Sequence, residues 1–486
     1  MSTMRRTKIV ATIGPATSSN EVVEQLILAG MDVARLNFSH GNADEHRARA
    51  LQIREIATRL NANVAILGDL QGPKIRIARF TEQKIQLQTG DAFRFSITHP
   101  RDAGNQEVVG IDYPDLVTDC AIGDQLLLDD GRVVMQVESV TADALNCRVL
   151  VGGPLSDHKG INRRGGGLTA PALTEKDKQD ISLAAELDLD YLAVSFPRDA
   201  ADMNLARRLC AEAGCTAWLV AKIERAEAVM NDEALNGLIS ASDAVMVARG
   251  DLAVEIGDAE LVGIQKKIIA AARKQNKAVI TATQMMESMI HSPMPTRAEV
   301  SDVANAALDY TDAVMLSAET AVGEYPVQAV AAMARICLGA EKNPIMRQSA
   351  HRIGQTFERW DESIALATMY TANHFPGVKA IIALTESGYT PLVMSRIRSS
   401  IPIYAFAPSR QTQARVALFR GVYTVPFDPS TEFSTSVSQA AVEELLKRGV
   451  VTEDDWIILT KGDSYHLVGG TNTMKLLHVG HTVAIT

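Results

Sequence analysis

The chain has 486 residues, 47% hydrophobic and 22% charged, with a formal net charge of −10. That length exceeds one ordinary core and predicts two to four domains, one of which can be a large barrel. The acidic balance argues against nucleic acid as the main partner, and no apolar run approaches the roughly 20 residues of a membrane helix.

The basic start MSTMRRTKIVATIGPA lacks the apolar stretch and cleavage site of an export signal, so a cytoplasmic protein is expected. Eight short apolar runs follow, each leading into an amphipathic helical stretch. In chain order they are KIVATIGPA, DVARLNFSHG, NVAILGDLQG, YLAVSFPR, AWLVAKIERA, DAVMVARGDL, KAVITATQM and DAVMLSAETA. Strands covered by helices on both faces read this way, and eight in series predict a (β/α)8 barrel over residues 1–70 and 169–343. Residues 71–168 interrupt the series with alternating, turn-punctuated runs such as KIQLQTGDAFRFSIT and close on the flexible junction RRGGGL. They predict a small β-barrel domain inserted in a βα loop, over the face where barrel sites lie, where it could act as a lid. Residues 344–486 carry the runs KAIIALT, IPIYAFAP, GVYTVPF, DWIILTKG and TVAIT, expected as a five-stranded C-terminal α/β domain. Five scattered cysteines form no disulfide framework. Cys210 and Cys215 have no second pair to complete a zinc site, so reduced thiols are expected.

Charge collects at the strand ends. Asn37, Ser39 and His40 end the second run; Asp69, Lys74 and Arg76 lie at or beyond the third; Lys222 and Glu224 end the fifth. Arg249 and Asp251 end the sixth and Thr283 the seventh. In a barrel all of these converge on one face. Strand alternation points Lys222 and Glu224 to the same side, so an ammonium and a carboxylate enter one site. Glu224 and Asp251, on neighbouring strands, suit a hard divalent cation, magnesium or manganese. A helical turn starting near Gly250 and Asp251 could present amides to an anion. Walker A, HRD and DFG sequences are absent, so a phosphate would have to be held by Arg35, Arg76 and Lys222 with a metal. The residues alone leave open a metal-dependent barrel lyase or aldolase.

The stretches ATIGPA, ARLNFSHG, VSFPR, AKIERAEA, VARGDLAVEIG, ITATQMMESMI, PTRAEVSDVANAALD and DAVMLSAETAVGEYP closely resemble the pyruvate kinase family. The resemblance implies phosphoryl transfer from phosphoenolpyruvate to ADP, giving pyruvate and ATP. It implies that Lys222 neutralises the transferring phosphoryl group and the enolate, that Glu224 and Asp251 hold magnesium, and that Arg35 binds the phosphoryl group. The substrate carboxylate would meet the amides of Gly250 and Asp251 and the hydroxyl of Thr283, which would also lie near the path protonating the enolate. ADP would contact Pro15, Asn37, His40, Arg76 and Lys176. A homotetramer is implied as well.

Two departures carry expectations of their own. In LTESGYT the family binds phosphorylated activators, so Thr385, Ser387, Gly388 and Thr390 are the expected effector residues. Members responding to fructose 1,6-bisphosphate often have Lys where this chain has Glu386, which favours a sugar monophosphate or AMP here. Potassium-requiring members hold that ion at the positions of Asn37, Ser39, Asp69 and the Leu70 carbonyl. Their DTKGPE is DLQGPK in this chain, and the ammonium of Lys74 is expected to stand in for potassium, making the ion unnecessary.

Overall fold

The computed structural model describes residues 4–347, 354, 356–429, 437–463 and 469–481. The eight apolar runs all form strands, because helices cover their outer faces and side chains fill the space between them. They are β1 (Lys8–Ile13), β2 (Val33–Asn37), β3 (Ala65–Asp69), β4 (Tyr191–Val194), β5 (Trp218–Ile223), β6 (Ala244–Ala248), β7 (Ala278–Ala282) and β8 (Ala313–Leu316). Each pairs in parallel with the next, and β8 returns to β1 with Lys8 opposite Ala313 to close the barrel. Local capping sets where several helices begin: Ser19, Asn42, Thr174, Asn231 and Thr296 each accept a backbone amide with their side-chain oxygen.

Between β3 and β4 the chain leaves the barrel. The β-rich insert surrounds one apolar core, built on Phe93, Phe95, Leu126, Met135 and Leu145. Its wall is made of two pieces, a six-stranded sheet and a two-stranded ribbon that pairs Lys84–Leu87 with Gly153–Ser156.

The C-terminal domain is a five-stranded sheet of β9 (Val378–Leu384), β10 (Ile403–Ala407), β11 (Val422–Pro426), β12 (Trp456–Gly462) and β13 (Thr471–His478). Four strands match the expected runs. The fifth is β13, antiparallel to β12; the expected run TVAIT lies outside the described residues. This domain seats on the barrel through a buried ion pair, in which Arg396 holds Asp312, the residue before β8, and also donates to the Lys277 carbonyl at 2.8 Å. Breaking such a pair by removing one partner strands a buried charge. Trp218 at the start of β5 packs against Phe419, ring centres 6.1 Å apart.

Candidate active site

The C-terminal ends of the barrel strands carry one connected network of charge. Arg35 on β2 reaches sideways along the barrel mouth. Its guanidinium binds Asp69 Oδ2 on β3 at 2.6 and 2.7 Å and Thr12 Oγ1 on β1 at 2.9 Å. Lys222 on β5 places its ammonium 2.8 Å from Ser195 Oγ, 3.0 Å from Glu224 Oε1 and 3.3 Å from Asp69 Oδ1. Lys222 and Glu224 therefore do face one site, as strand alternation requires.

Burial disfavours the charge on Lys222, but Asp69 and Glu224 outweigh it and hold the ammonium above its ordinary range. Asp69 shows the same contest with the opposite charge: burial pushes it up, while Lys222 and Arg35 pull it below the usual carboxylate range. Burial pushes Glu224 up, Lys222 opposes this, and the charge of nearby Asp251 adds to the rise. The two neighbouring carboxylates form a spot of negative charge, which fits a divalent cation; with only two protein ligands, such a cation would fill its shell with water and substrate oxygens.

Asp251 sits in the first turn of the helix Arg249–Ile256, which starts directly at the end of β6. The Gly250 amide belongs to the same turn but is already engaged, donating to Thr283 Oγ1 at 2.8 Å. A carboxylate seated there would have to displace that bond. Thr283 and Gln284 lie in the left-handed region, with φ of 67° and 53°, a conformation costing on the order of 1–3 kcal/mol per residue and characteristic of functional sites. Arg249 pins this turn, donating to the Thr283 carbonyl at 2.7 Å and to Asp302 at 2.8 Å.

The expected nucleotide-side residues are only partly gathered. The Asn37 side chain, at the end of β2, accepts the Ser39 amide at 3.1 Å, and Lys176, in the first turn of the helix Glu175–Glu186, donates to the Phe38 carbonyl at 2.8 Å, so the lysine reaches the loop that carries Ser39 and His40. Pro15, itself exposed, opens a short turn after β1 that ends on buried Thr17. Arg76 turns the other way, donating to the His158 carbonyl of the insert at 2.9 Å.

The oxygens expected to hold potassium already accept bonds within the chain: Asn37 from Ser39, Asp69 from Arg35, and the Leu70 carbonyl from Ser195 Oγ at 2.7 Å. Lys74 faces the site, 27% exposed, but its ammonium lies 3.1 Å from Asp251 Oδ1 rather than beside Asp69. Asp69 has two cationic partners already, whereas Asp251 has room for one. Sequence reasoning missed Ser195, which joins Lys222 to the Leu70 carbonyl, and Phe196, whose amide donates to Glu224 Oε2 at 2.9 Å from a left-handed φ of 56°. Their position at the end of β4, in VSFPR, was the available signal.

In the C-terminal domain the expected effector loop follows β9. Thr385 Oγ1 accepts the Gly388 amide at 3.0 Å and Ser387 Oγ the Tyr389 amide at 3.4 Å. Both hydroxyls still have a proton to donate. Thr390 differs from expectation: it is buried and bonded to Thr471 at 2.8 Å.

A closed parallel barrel with cations and carboxylates meeting at its C-terminal mouth, a β-rich insert and an added α/β domain define a multidomain (β/α)8-barrel protein. Comparison with known proteins narrows this. The family model described as pyruvate kinase, barrel domain matches residues 4–330, and the pyruvate kinase alpha/beta domain matches residues 362–477. "Pyruvate kinase II" of Salmonella typhimurium is 56% identical over 476 residues, covering 98% of this chain and 99% of that protein. The pyruvate kinase of Haemophilus influenzae is 55% identical over 460 residues, covering 94% and 96%. A solved pyruvate kinase from Cryptosporidium parvum superimposes with a TM-score of 0.89 at 35% identity, covering 98% of this chain and 96% of that one. The chain belongs to the pyruvate kinase family.

Proposed function

We propose that the protein transfers the phosphoryl group of phosphoenolpyruvate to ADP, giving pyruvate and ATP. The observation that carries this reading is the network of Arg35, Asp69, Lys222 and Glu224, which holds two cations rigidly at the barrel mouth. Phosphoryl transfer needs little covalent help from a protein; it needs in-line positioning and neutralisation of charge. Asp69 orients both cations without being consumed, and Arg35 holds the phosphoryl oxygens. The Lys222 ammonium, kept protonated by its carboxylate neighbours, stabilises the charge that builds on the phosphoryl group and the enolate. Glu224 and Asp251 would hold magnesium, or manganese, which neutralises phosphate and carboxylate charge when bound. Thr283 would stand near the path by which a proton reaches the enolate carbon, and the substrate carboxylate would meet the amides of Gly250 and Asp251 once the Gly250 to Thr283 bond yields. Asn37, His40 and Lys176 take the nucleotide side with Pro15; Arg76 joins them only after turning from the insert. The barrel of residues 1–70 and 169–343 thus supplies the chemistry, residues 71–168 the cover, and residues 344–486 regulation, in a cytoplasmic homotetramer.

The test is a rate measurement with phosphoenolpyruvate, ADP and magnesium in which pyruvate and ATP are both quantified. Equal amounts are expected. Absence of ATP formation would remove this reading and leave the barrel lyase or aldolase, whereas pyruvate released with inorganic phosphate in place of ATP would show simple hydrolysis.

Regulation would enter at the loop of Thr385, Ser387 and Gly388. Hydroxyl protons there can meet one phosphate, while the Glu386 carboxylate disfavours a second. Titration at sub-saturating phosphoenolpyruvate is expected to show activation by a sugar monophosphate or AMP. Strong activation by fructose 1,6-bisphosphate alone would overturn this assignment.

A further inference from the structure

The cysteine pair that fits no zinc site occupies a particular turn. The helix Ala200–Glu212 stops at Gly214, whose φ of 70° reverses the chain so that the Cys215 amide donates back to the Cys210 carbonyl at 2.8 Å. Standard bond lengths then keep the two Cα atoms within roughly 7 Å, about the upper limit that a disulfide spans. The Cys210 thiol and the Ala217 amide both lie near enough to the Cys215 sulfur to act on it as donors. These donors lower Cys215 to about 7, while Cys210 is raised. The other three cysteines behave differently: burial pushes Cys120, Cys147 and Cys337 each up to about 12. Nucleophilic thiolate is thus concentrated at Cys215, which is 8% exposed, with a resolving thiol beside it.

We infer that Cys210 and Cys215 are a dithiol that a peroxide converts to an intramolecular disulfide in the folded protein. The Cys215 thiolate attacks the peroxide oxygen, the O–O bond breaks, and a sulfenic acid forms with hydroxide, which takes up the proton that Cys215 released on ionising to give one water. Cys210 then attacks the Cys215 sulfur, its proton leaving with the displaced hydroxide as a second water. Two thiols are oxidised and one peroxide is reduced. The turn matters because Thr216, next in the chain, accepts bonds from Gln411 and Arg415 of the C-terminal domain at 2.6 and 2.9 Å, and β5 with Lys222 begins two residues later. A disulfide would stiffen the connection between that domain and a strand of the active site.

Trypsin isolates the pair on one peptide, Leu209 to Lys222, which holds no other cysteine. The native protein is treated with hydrogen peroxide, its secondary structure is checked by circular dichroism, and it is then denatured, alkylated and digested. The expected peptide is unalkylated and two hydrogens lighter than the dithiol form, and dithiothreitol restores two alkylation sites. In Cys210→Ser the intermediate should persist and be trapped on Cys215 by dimedone. The inference is overturned if the wild-type peptide keeps both alkylation sites, if Cys215 proceeds to sulfinic acid, or if the disulfide forms only after the protein has unfolded. Should the variant fail to fold, the wild-type peptide decides alone.

Discussion

Lys222→Met is expected to lower turnover by about three orders of magnitude or more, equivalent to at least roughly 4 kcal/mol of transition-state stabilisation, while phosphoenolpyruvate still binds. The reason lies in what the ammonium touches. It sits between Asp69, Glu224 and Ser195, so its charge is shared among three partners rather than spent on one, as the proposed role requires. Asp69 keeps Arg35 and Glu224 keeps the Phe196 amide when the ammonium is removed, which limits the structural damage. The measurements are kcat and KM for the variant, binding of phosphoenolpyruvate, and a melting curve. Turnover within tenfold of the parent would reject the role. A collapse of the melting temperature with no folded variant to assay would show the residue to be structural.

The second large effect concerns potassium. Full activity is expected with magnesium in potassium-free tetramethylammonium buffer, and Lys74→Glu should make activity potassium-dependent or nearly abolish it. Lys74 already brings a monovalent cation into the site, 3.1 Å from Asp251. Magnesium seated on Asp251 would displace that ammonium towards the phosphoryl position, where potassium about 4 Å away from it would cost about 4 kcal/mol at the effective dielectric of a partly buried pair. The oxygens of Asn37, Asp69 and Leu70 each already accept a hydrogen bond from within the chain, which a potassium ion would have to share. Replacement by glutamate changes the local charge by two and sets a third carboxylate beside Asp251 and Glu224. Rates with and without potassium chloride at matched ionic strength decide the matter. A rise of about tenfold or more on adding potassium to the parent protein is far larger than ionic screening differences would give, and it would end the proposal.

The barrel was legible because parallel strands buried on both faces appear in the sequence as unbroken apolar runs, and β1, β3, β4, β6, β7 and β8 are indeed buried at every position. The strand β13 escaped notice because it lies at a sheet edge with most positions half-buried or exposed, so TNTMKLLH has no such run. The carboxylates and Lys222 stood out because charge at the tip of an apolar run has no packing explanation. What could not be read were relations across strands. Arg35 bridges Thr12 and Asp69 only through the register of three neighbours. The Gly250 amide is taken by Thr283 only because that residue adopts a left-handed turn. Arg76 follows the insert because its backbone is bridged to Gly160 there.

The placement of the insert also sets the order in which the molecule can assemble. Strand β3 must pair with β4, with Leu67 opposite Tyr191, yet the entire insert is synthesised between them. The first three strands therefore leave the ribosome with no partner on one side, and β1 waits longer still for β8. Closure across such a span is entropically costly, although the cost rises only slowly with length. The insert has its own apolar core, so it can collapse first and bring its two ends together. A domain proposed to cover the finished site would then act earlier as the clasp that draws β3 and β4 within reach of each other.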